Sequence, residues 1–533
     1  MKPTASYSDA LNSVGRGTTV MSVSTILLLA FNFISRVAVA KAFSIDDWGI
    51  FSLGLALSGF LSLVALLGFH QAMARTLSYE KDPGMRRKIV RLGFGITLAS
   101  SIAISSVTYL FAGPLANAFA SGHPVILTQV FQLFSLTIGF TLMSTFLASI
   151  FQGFENVKPN AWFNQVLNPA LFLVFFFAFL YLHLGFASAI LGYVAAGGAS
   201  LAALAAYTAR QLPKLLPAHA HIPASPIPST IWGLSLSLWG VTTLAFVTAF
   251  VDTLILGAYR DSVDVGLYAS ATTLARLLLV ANGALTFVYL PVTARLARDR
   301  DFDTIRSTFA TATRWTLVVT FPMFLLFCFM PHQSLGAVFG LRYEDAALAL
   351  AILGVGSFVS VVVGPVNATL AGLGETRSLL MTTIISASAN VFLSFALIPS
   401  YGLLGAAFAW TVARALYPSV GLLTLYVGHG INPFRRALVL PLAIASAIGI
   451  PIFLVVGLFT HPLWVVFPMF LVGIALFVGA VIVTRSVDPG DLVIAGLMER
   501  LLGRPLPVLR RFLERFVTPD VSAPSAPRIP DGL

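Results

Sequence analysis

Fourteen apolar runs, each long enough to cross a membrane as a helix, follow one another along the chain. A spanning helix needs about 20 mostly apolar residues, because the hydrocarbon core is about 30 Å thick. The predicted spans, numbered 1 to 14, cover residues 20–43, 49–70, 92–113, 125–151, 161–183, 186–208, 230–257, 266–291, 312–331, 345–371, 377–399, 402–428, 437–459 and 462–484. The pattern therefore predicts an all-α integral membrane protein with 14 transmembrane helices.

One polar pattern occurs twice among these apolar runs and divides the chain into two halves. Span 1 contains the ionisable residue Arg36 and span 7 contains Asp252, and each span is followed by a short acidic turn that ends in Gly and an aromatic residue. The glycines of the two turns, Gly49 and Gly266, are 217 residues apart. Such a repeat is typical of transporters built from two related lobes. Spans 1–6 and 7–12 therefore predict two six-helix lobes in a pseudo-two-fold repeat, with spans 13 and 14 as an addition.

The repeat and the composition of the loops predict five regions. They are an N-lobe at residues 1–208, a cytoplasmic inter-lobe linker at 209–229, a C-lobe at 230–428, spans 13 and 14 within 429–484, and a cytoplasmic tail at 485–533. The linker is rich in Pro, which is typical of a loop. The tail alternates apolar residues with Arg before a Pro- and Ser-rich end. We therefore expect basic amphipathic helices on the inner leaflet, followed by disorder.

Composition and charge place most of the chain in a membrane. Hydrophobic residues make up 57% of the chain and charged residues 10%, whereas a soluble domain carries about 25% charged residues. When the N-terminus is placed in the cytoplasm, 26 of the 32 Lys and Arg fall on the cytoplasmic side and three on the outer side. This asymmetry predicts that both termini are cytoplasmic. Contact with anionic lipids then accounts for the net positive charge of the chain, so we expect no nucleic-acid partner.

Signals of enzyme chemistry are absent from the sequence. The eight His are scattered, and the chain has no paired carboxylates, metal-ligand spacing or phosphate-binding loop. Cys328 is the single cysteine, which excludes an intramolecular disulfide and a thiolate metal cluster. We therefore expect a protein that is not an enzyme and holds no cofactor, with coupling to Na⁺ or H⁺ left open.

Several turns resemble those of a known transporter superfamily. Gly-rich turns follow spans 4 and 10, at Phe151-Gln152-Gly153 and Gly372-Leu373-Gly374, and span 12 begins with Tyr401-Gly402. Together with the two lobes, these turns resemble the multidrug/oligosaccharidyl-lipid/polysaccharide (MOP) exporter superfamily. The two additional spans resemble its polysaccharide and lipid-linked oligosaccharide flippases. The resemblance implies a V-shaped pair of lobes around a central cavity that is lined mostly by helices 1, 2, 7 and 8 and opens alternately to each side.

Three arginines lie well inside predicted spans, away from the span ends on the cytoplasmic side, and are the first candidates for binding an anionic headgroup. An ionisable residue within a spanning helix is by default a functional hypothesis, and the planar guanidinium of Arg binds phosphate bidentately. At 1.5 Å per residue, Arg276 is about 15 Å and Arg414 about 18 Å from the outer end of its span. Arg36 is only about 10 Å deep, which also fits snorkelling to the outer interface. A structural ion pair within one lobe is the alternative for Arg276, and a place in the outer part of the lobe is the alternative for Arg414.

The other candidates are polar residues and one acid. Asn32, His70, Gln71 and Asn282 are weaker candidates for the cavity wall, because most intramembrane amides simply join neighbouring helices. Asp252 is about 8 Å deep in span 7, in nearly the same place as the arginine of span 1. We expect the pseudo-two-fold axis to put these two charged residues on opposite walls, where they pair across a closed outer mouth as a gate. Asp252 is also the candidate for binding a coupling cation.

The residues and the resemblance together favour a flippase as the function. It would move an undecaprenyl-diphosphate-linked oligosaccharide, such as one for O-antigen or exopolysaccharide, from the cytoplasmic to the outer face of the bacterial cytoplasmic (inner) membrane by alternating access. The expected partners are this polyprenyl-diphosphate-linked glycan and the glycan assembly machinery. A cation-coupled multidrug exporter is the alternative, but three intramembrane Arg against one Asp favour an anionic cargo. A lipid II flippase of the same superfamily would differ only in the headgroup.

Overall fold

A computed structural model describes residues 4–66, 68–120, 122–216, 223, 230–459, 463–487 and 491. Regular structure in these residues is entirely helical, because a chain in hydrocarbon must satisfy its backbone hydrogen bonds and a helix does so within one segment. The first half forms α1 Thr4–Ala42, α2 Ile45–Leu66, α3 Phe69–Tyr79, α4 Pro83–Leu110, α5 Ala112–Asn117, α6 Pro124–Gly153, a π-helix Asn160–Leu167, α7 Asn168–Tyr181 and α8 Ala187–Leu215. The second half forms α9 Thr230–Tyr259, α10 Ser262–Ala275, α11 Leu277–Arg298, α12 Phe302–Phe329, α13 Pro331–Phe339, a 3₁₀ turn Leu341–Ala346, α14 Ala347–Val362, α15 Val366–Gly372, α16 Thr376–His429, α17 Arg436–Phe459, a 3₁₀ turn Leu463–Val465 and α18 Val466–Val483.

The all-α membrane architecture is confirmed, whereas the number of fourteen spans is not reproduced. Within the described ranges, twelve helices are long and apolar enough to cross a membrane, or thirteen if the pair 231–244 and 246–259, bent by 48°, is one span. One of the twelve, α16, has 54 residues and covers predicted spans 11 and 12. A helix of that length would extend about 80 Å at 1.5 Å per residue. Instead α16 consists of two helices joined at Gly402, whose φ of 52° is a conformation that favours glycine.

Several of the predicted spans contain a break or an irregular turn, and three of these bear on predicted site residues or on a polar stretch. The chain turns at Gly68, with φ 66°, so His70 and Gln71 lie in the first turn of α3 and not at the end of a span-2 helix. Span 8 is divided at Arg276 into α10 and α11. Span 5 opens with the eight-residue π-helix before it continues as α7. Such departures from α-helical geometry within membrane helices are often found at functional sites.

The described chain forms two compact units, and these do not follow the predicted lobes. Unit 1 contains residues 1–273, 338–349 and 383–413, and unit 2 contains 274–337, 350–382 and 414–533. The whole predicted N-lobe falls in unit 1, whereas the predicted C-lobe is divided between the units. The lobe boundaries stay a prediction. Most of the predicted linker and of the amphipathic tail lies outside the described residues.

Each unit has its own buried apolar cluster, and each cluster positions a helix that carries a predicted site residue. In unit 1, residues of α3, α4, α6 and α8 pack together around Met73, Ile89 and Phe146. In unit 2, residues of α11, α12 and α15 pack around Phe309 and Leu370. Between helices in a membrane such packing acts mainly through van der Waals contact. It holds α3 and α11, which carry His70 and Asn282, in fixed positions within their units.

A buried ion pair in unit 2 ties the segment after α18 to α12. Arg314 Nη2 donates to both carboxylate oxygens of Asp491 at 2.7 and 2.6 Å, and Trp315 Nε1 donates to the same carboxylate at 2.7 Å. Both charged side chains are almost fully buried. Arg314 is the third residue of predicted span 9, and the sequence indicates no partner for it. The carboxylate of Asp491 balances that charge, and separating the two would leave a buried charge uncompensated.

Candidate functional site

The N-terminal turns of α2 and α10 contact each other directly within unit 1. These turns carry the repeated acidic motif, and we call the end of the bundle that they form the acidic-turn face. A Cβ at Gly49 would overlap the carbonyl oxygen of Ser262, and a Cβ at Gly266 would overlap the carbonyl oxygen of Ile45. Only glycine permits so close an approach of two backbones. The two equivalent glycines of the sequence repeat are therefore a point of direct backbone contact between the two copies.

Side-chain hydrogen bonds join the same two copies beneath the glycines. Trp48 Nε1 donates to Ser270 Oγ at 3.1 Å, and both residues are buried. One helical turn further along α10, Arg36 Nη1 donates from α1 to Thr273 Oγ1 at 3.2 Å. Arg36 is half-buried. The shallow arginine thus contacts a hydroxyl of the second copy.

Asp252 of α9 is bonded to the same helix. Its side chain is fully buried, and Tyr268 Oη donates a hydrogen bond to Asp252 Oδ2. Tyr268 is also fully buried and lies on α10, five residues before the hydroxyl that Arg36 contacts. The two residues predicted to form a gate are therefore both anchored to α10.

Further bonds of unit 1 hold the acidic-turn face together. Arg342 Nη2 and Tyr343 Oη donate to the carbonyl oxygen of Ala40, at 2.6 and 2.8 Å, and so fix the end of α1. His123 Nε2 lies 3.3 Å from Asp46 Oδ2, which links the start of α6 to the start of α2. These contacts bring α1, α2, α6 and α10 together at this face, which is consequently closed within unit 1.

The two deep arginines are brought together in unit 2. Arg276 occupies the break between α10 and α11. Its carbonyl oxygen accepts a hydrogen bond at 3.0 Å from the backbone N–H of Leu279, three residues later, as in a 3₁₀ turn. Arg414, on α16, lies within electrostatic range of Arg276. Both side chains are half-buried, and Arg414 Nε has no hydrogen-bond partner among the described residues. The structure thus places the two arginines that the sequence singled out within electrostatic range of each other, and their depth in the membrane stays a prediction.

The weaker candidates are dispersed. Asn32 is exposed on α1, four residues before Arg36 and so on the same helix face. His70 and Gln71 are half-buried on α3, and His70 Nδ1 is buried without a hydrogen-bond partner in the described part of the chain. Asn282 is half-buried on α11. Among the described residues, the side chains of His70, Gln71 and Asn282 form no hydrogen bond to another predicted site residue, and their cavity role stays a prediction.

A polar cavity within unit 1 was not predicted. Its volume is about 330 Å³, and its walls come from α1, α6, the π-helix, α7 and α8. Nine of its fourteen lining residues carry an amide or a hydroxyl, Asn32 among them. The sequence does contain a signal, since Asn160, Asn164 and Asn168 recur every fourth residue in an apolar run. Such amides more often join helices than line a cavity, so the spacing alone did not distinguish the two.

Comparison with solved structures identifies the fold. The lipid II flippase MurJ in an inward closed conformation matches with a TM-score of 0.67 at 15% identity, over 86% of this chain and 97% of that one. An inward-facing multidrug resistance MATE family transporter of the MOP superfamily matches with a TM-score of 0.60 at 15% identity, over 76% of this chain and 96% of that one. At these identities the likeness establishes the fold alone. The chain shares the fold of these two transporters, and this is the fold that the resemblance in the sequence implied.

The family follows from the sequence match. The model of the polysaccharide biosynthesis protein family matches residues 14–297, which is just over half of the 533 residues. The chain therefore belongs to the polysaccharide biosynthesis protein family. One curated relative, the probable low-salt glycan biosynthesis flippase Agl15 of Haloferax volcanii, is 23% identical over 168 residues, 32% of this chain. The match spans about a third of that relative's length, namely 36%.

Proposed function

We propose that the protein is a flippase that moves a polyprenyl-diphosphate-linked oligosaccharide from the cytoplasmic to the outer face of a bacterial inner membrane by alternating access. Membership of the polysaccharide biosynthesis protein family supports this proposal. So does the relative that is named a probable glycan biosynthesis flippase. In this orientation the acidic-turn face is the outer face, both termini are cytoplasmic and the basic loops contact anionic lipids. Glycan assembly enzymes then supply the substrate on one side and consume it on the other.

The observation that carries the proposal is that two arginines, Arg276 and Arg414, lie within electrostatic range of each other. Like charges repel strongly in a medium of low dielectric, and a bound dianion offsets that repulsion. A diphosphate supplies such a charge, and each planar guanidinium can bind it with two charge-assisted hydrogen bonds. Arg276 also precedes the N-terminus of α11, where the helix dipole favours an anion. The arrangement fits a lipid diphosphate better than a cationic drug.

Arg36 and Asp252 are the proposed gate of the outer face. Their common anchor on α10, through Thr273 and Tyr268, supports this role. Opening the face requires α10 to move away from α1 and α2, so Arg36 must exchange its partner Thr273 during the cycle. A charge attraction between the two walls would stabilise the closed state in a partly desolvated site.

A charge exchange tests the gate. We expect Arg36→Asp and Asp252→Arg each to lower lipid movement at least tenfold, because each single change places two like charges at the gate. The double variant should recover most of the loss, since attraction is restored. Lipid movement in reconstituted vesicles is the measurement, with protein amount as the control. A double variant as inactive as the singles would refute the pairing.

A cation-coupled drug exporter is the competing function, and a vesicle assay separates the two. Purified protein in vesicles containing fluorescent undecaprenyl-diphosphate-linked N-acetylglucosamine should make the lipid accessible to a membrane-impermeant quencher. Fluorescent phosphatidylcholine in the same vesicles should show no protein-dependent movement, and tetraphenylphosphonium should not accumulate. Movement of the cation without movement of the diphosphate lipid would instead identify an exporter with Asp252 as its coupling residue.

A further inference from the structure

The cavity of unit 1 lies at the start of α7, where the helix departs from α-helical geometry. Asn160 and Asn164 belong to the π-helix, Asn168 begins α7, and all three line the cavity. A π-helical turn is wider than an α-helical turn, and such turns are frequent at functional sites. At about 330 Å³ the cavity falls at the lower end of the range for small-ligand sites. It has room for a small polar group and not for an oligosaccharide.

Hydrogen bonds fix part of the cavity wall. Ser144 Oγ donates to Asn164 Oδ1, and Asn164 Nδ2 donates to Asn160 Oδ1 at 3.0 Å. The side-chain oxygen of the next residue, Gln165, accepts hydrogen bonds from the hydroxyls of Ser24 and Thr25 on α1. These bonds hold the π-helix against α6 and α1 and leave the amides in defined orientations.

Other amides of the wall are not used by the protein itself. Within the described part of the chain, the side chains of Asn32 and Asn168 have no hydrogen-bond partner, and both line the cavity. An amide offers two donors and a carbonyl acceptor. A ligand with several hydroxyls could therefore bind Asn32 and Asn168 together, one on α1 and the other on α7.

Aromatic rings complete the wall. Phe172 and Tyr193 line the cavity and pack edge to face, with ring centroids 5.7 Å apart. Arg36 follows the lining residue Asn32 by one helical turn on α1, and its charge acts on the Tyr193 hydroxyl. This cation therefore lies next to the cavity, although it does not line it. A ligand with a neutral polar part and an adjoining anionic part would match both features.

We propose that the cavity between α1, α6, the π-helix, α7 and α8 binds one uncharged sugar unit of the lipid-linked headgroup. Among the described residues, its lining contains neither a carboxylate nor a cation. A metal ion or a cationic drug would lack a counter-charge there, and a phosphate would lack a cationic partner. Amides, hydroxyls and aromatic faces match the hydroxyls and apolar faces of a sugar ring. This inference rests on the proposed flippase function and deepens it, because it separates sugar recognition from phosphate recognition.

Binding measurements with and without the sugar test the proposal. The probes are undecaprenyl diphosphate and its N-acetylglucosamine- and galactose-linked forms, titrated into the full-length protein in lipid nanodiscs. We expect at least one sugar to raise the affinity of the wild-type protein about tenfold over the bare diphosphate. Asn32→Leu and Asn168→Leu should each abolish that gain and leave binding of undecaprenyl diphosphate unchanged. Asn117→Leu, an exposed asparagine outside the cavity, is the matched control.

The outcomes separate the two proposals. Binding of the bare diphosphate by every variant shows that the variants are folded. If the wild-type protein binds both sugar-linked forms no more tightly than undecaprenyl diphosphate, or if the gain survives in both variants, the sugar site is refuted and the flippase stands. If no diphosphate lipid binds the wild-type protein, the proposed function fails and the sugar site fails with it. Binding of tetraphenylphosphonium that Asn168→Leu removes would assign the cavity to a cation and overturn the proposal.

Discussion

Replacing Arg276 with alanine is expected to lower the rate of diphosphate-lipid movement about a hundredfold. The change removes two charge-assisted hydrogen bonds to the headgroup, each worth about 1.5 kcal/mol, and every 1.4 kcal/mol corresponds to about a factor of ten. It also leaves Arg414 without the second positive charge that lies within its electrostatic range in the wild-type protein. The rate is measured in vesicles with fluorescent undecaprenyl-diphosphate-linked N-acetylglucosamine.

Two further variants make the interpretation of Arg276 specific. Arg276→Lys keeps the charge and loses the planar fork, so its rate should fall between those of the wild-type and alanine proteins. Arg377→Ala removes an exposed arginine from the first turn of α16 and should change the rate less than twofold. A rate for Arg276→Ala equal to that of Arg377→Ala would contradict the phosphate-binding role.

The sequence offers an expected depth for Arg276 but no signal of its local structure. Counting residues from the turn at Gly266 places it near the middle of the membrane. The break at Arg276 has no such signal, because its neighbours Ala275 and Leu277 favour a helix and neither Pro nor Gly is adjacent. The break lies just past the boundary between the two compact units, after Thr273. No local pattern in the sequence records that boundary.

The sequence repeat predicted which positions are equivalent and not which of them touch. It paired Gly49 with Gly266 by spacing alone, and the structure brings their backbones together. It paired Arg36 with Asp252, and the structure anchors both on α10. Two positions related by a two-fold axis contact each other only when both lie close to that axis. Glycines in a repeated turn are candidates for such positions, because the absence of a side chain permits close approach.

Buried contacts between residues far apart in the sequence could not be predicted from the sequence pattern either. Asp491 lies 177 residues after Arg314, and the two carry no spacing that would link them. The Asn-rich stretch before α7 was visible as a polar interruption of an apolar run. Its geometry was not, since a π-helix and an α-helix place Asn164 differently relative to α6. Whether an intramembrane amide faces a neighbouring helix or a cavity depends on how the helix turns its side chains about the helix axis.

Gly49→Ala is expected to open the acidic-turn face. The added Cβ would overlap the backbone carbonyl of Ser262, and no side-chain rotation can relieve a contact between a Cβ and a backbone oxygen. The start of α2 must therefore move away from α10, and the bond between Trp48 and Ser270 breaks with it. Conformations in which this face is separated become more populated at the expense of the closed one. Under the proposed orientation, these are the outward-open conformations.

Accessibility of a buried position on α10 measures the shift. In a background where the single native cysteine is removed by Cys328→Ser, Ser270→Cys reports on the face, because Ser270 is fully buried when the face is closed. We expect a membrane-impermeant maleimide, added from outside, to label this cysteine at least tenfold faster with Gly49→Ala than without it. Gly266→Ala should act in the same direction, since its Cβ would overlap the carbonyl of Ile45.

Gly95→Ala is the matched control for this change, because a Cβ there would meet no atom within 4 Å. It should leave the labelling rate unchanged, although it also replaces a glycine within a membrane helix. Lipid movement distinguishes a shifted equilibrium from a damaged protein. A protein biased toward the open state moves lipid slowly but still binds undecaprenyl diphosphate, whereas an unfolded one does neither. Labelling of Ser270→Cys at the parental rate in both Gly49→Ala and Gly266→Ala would mean that the two backbones do not meet at these glycines, and the closed face would have to be held by other contacts.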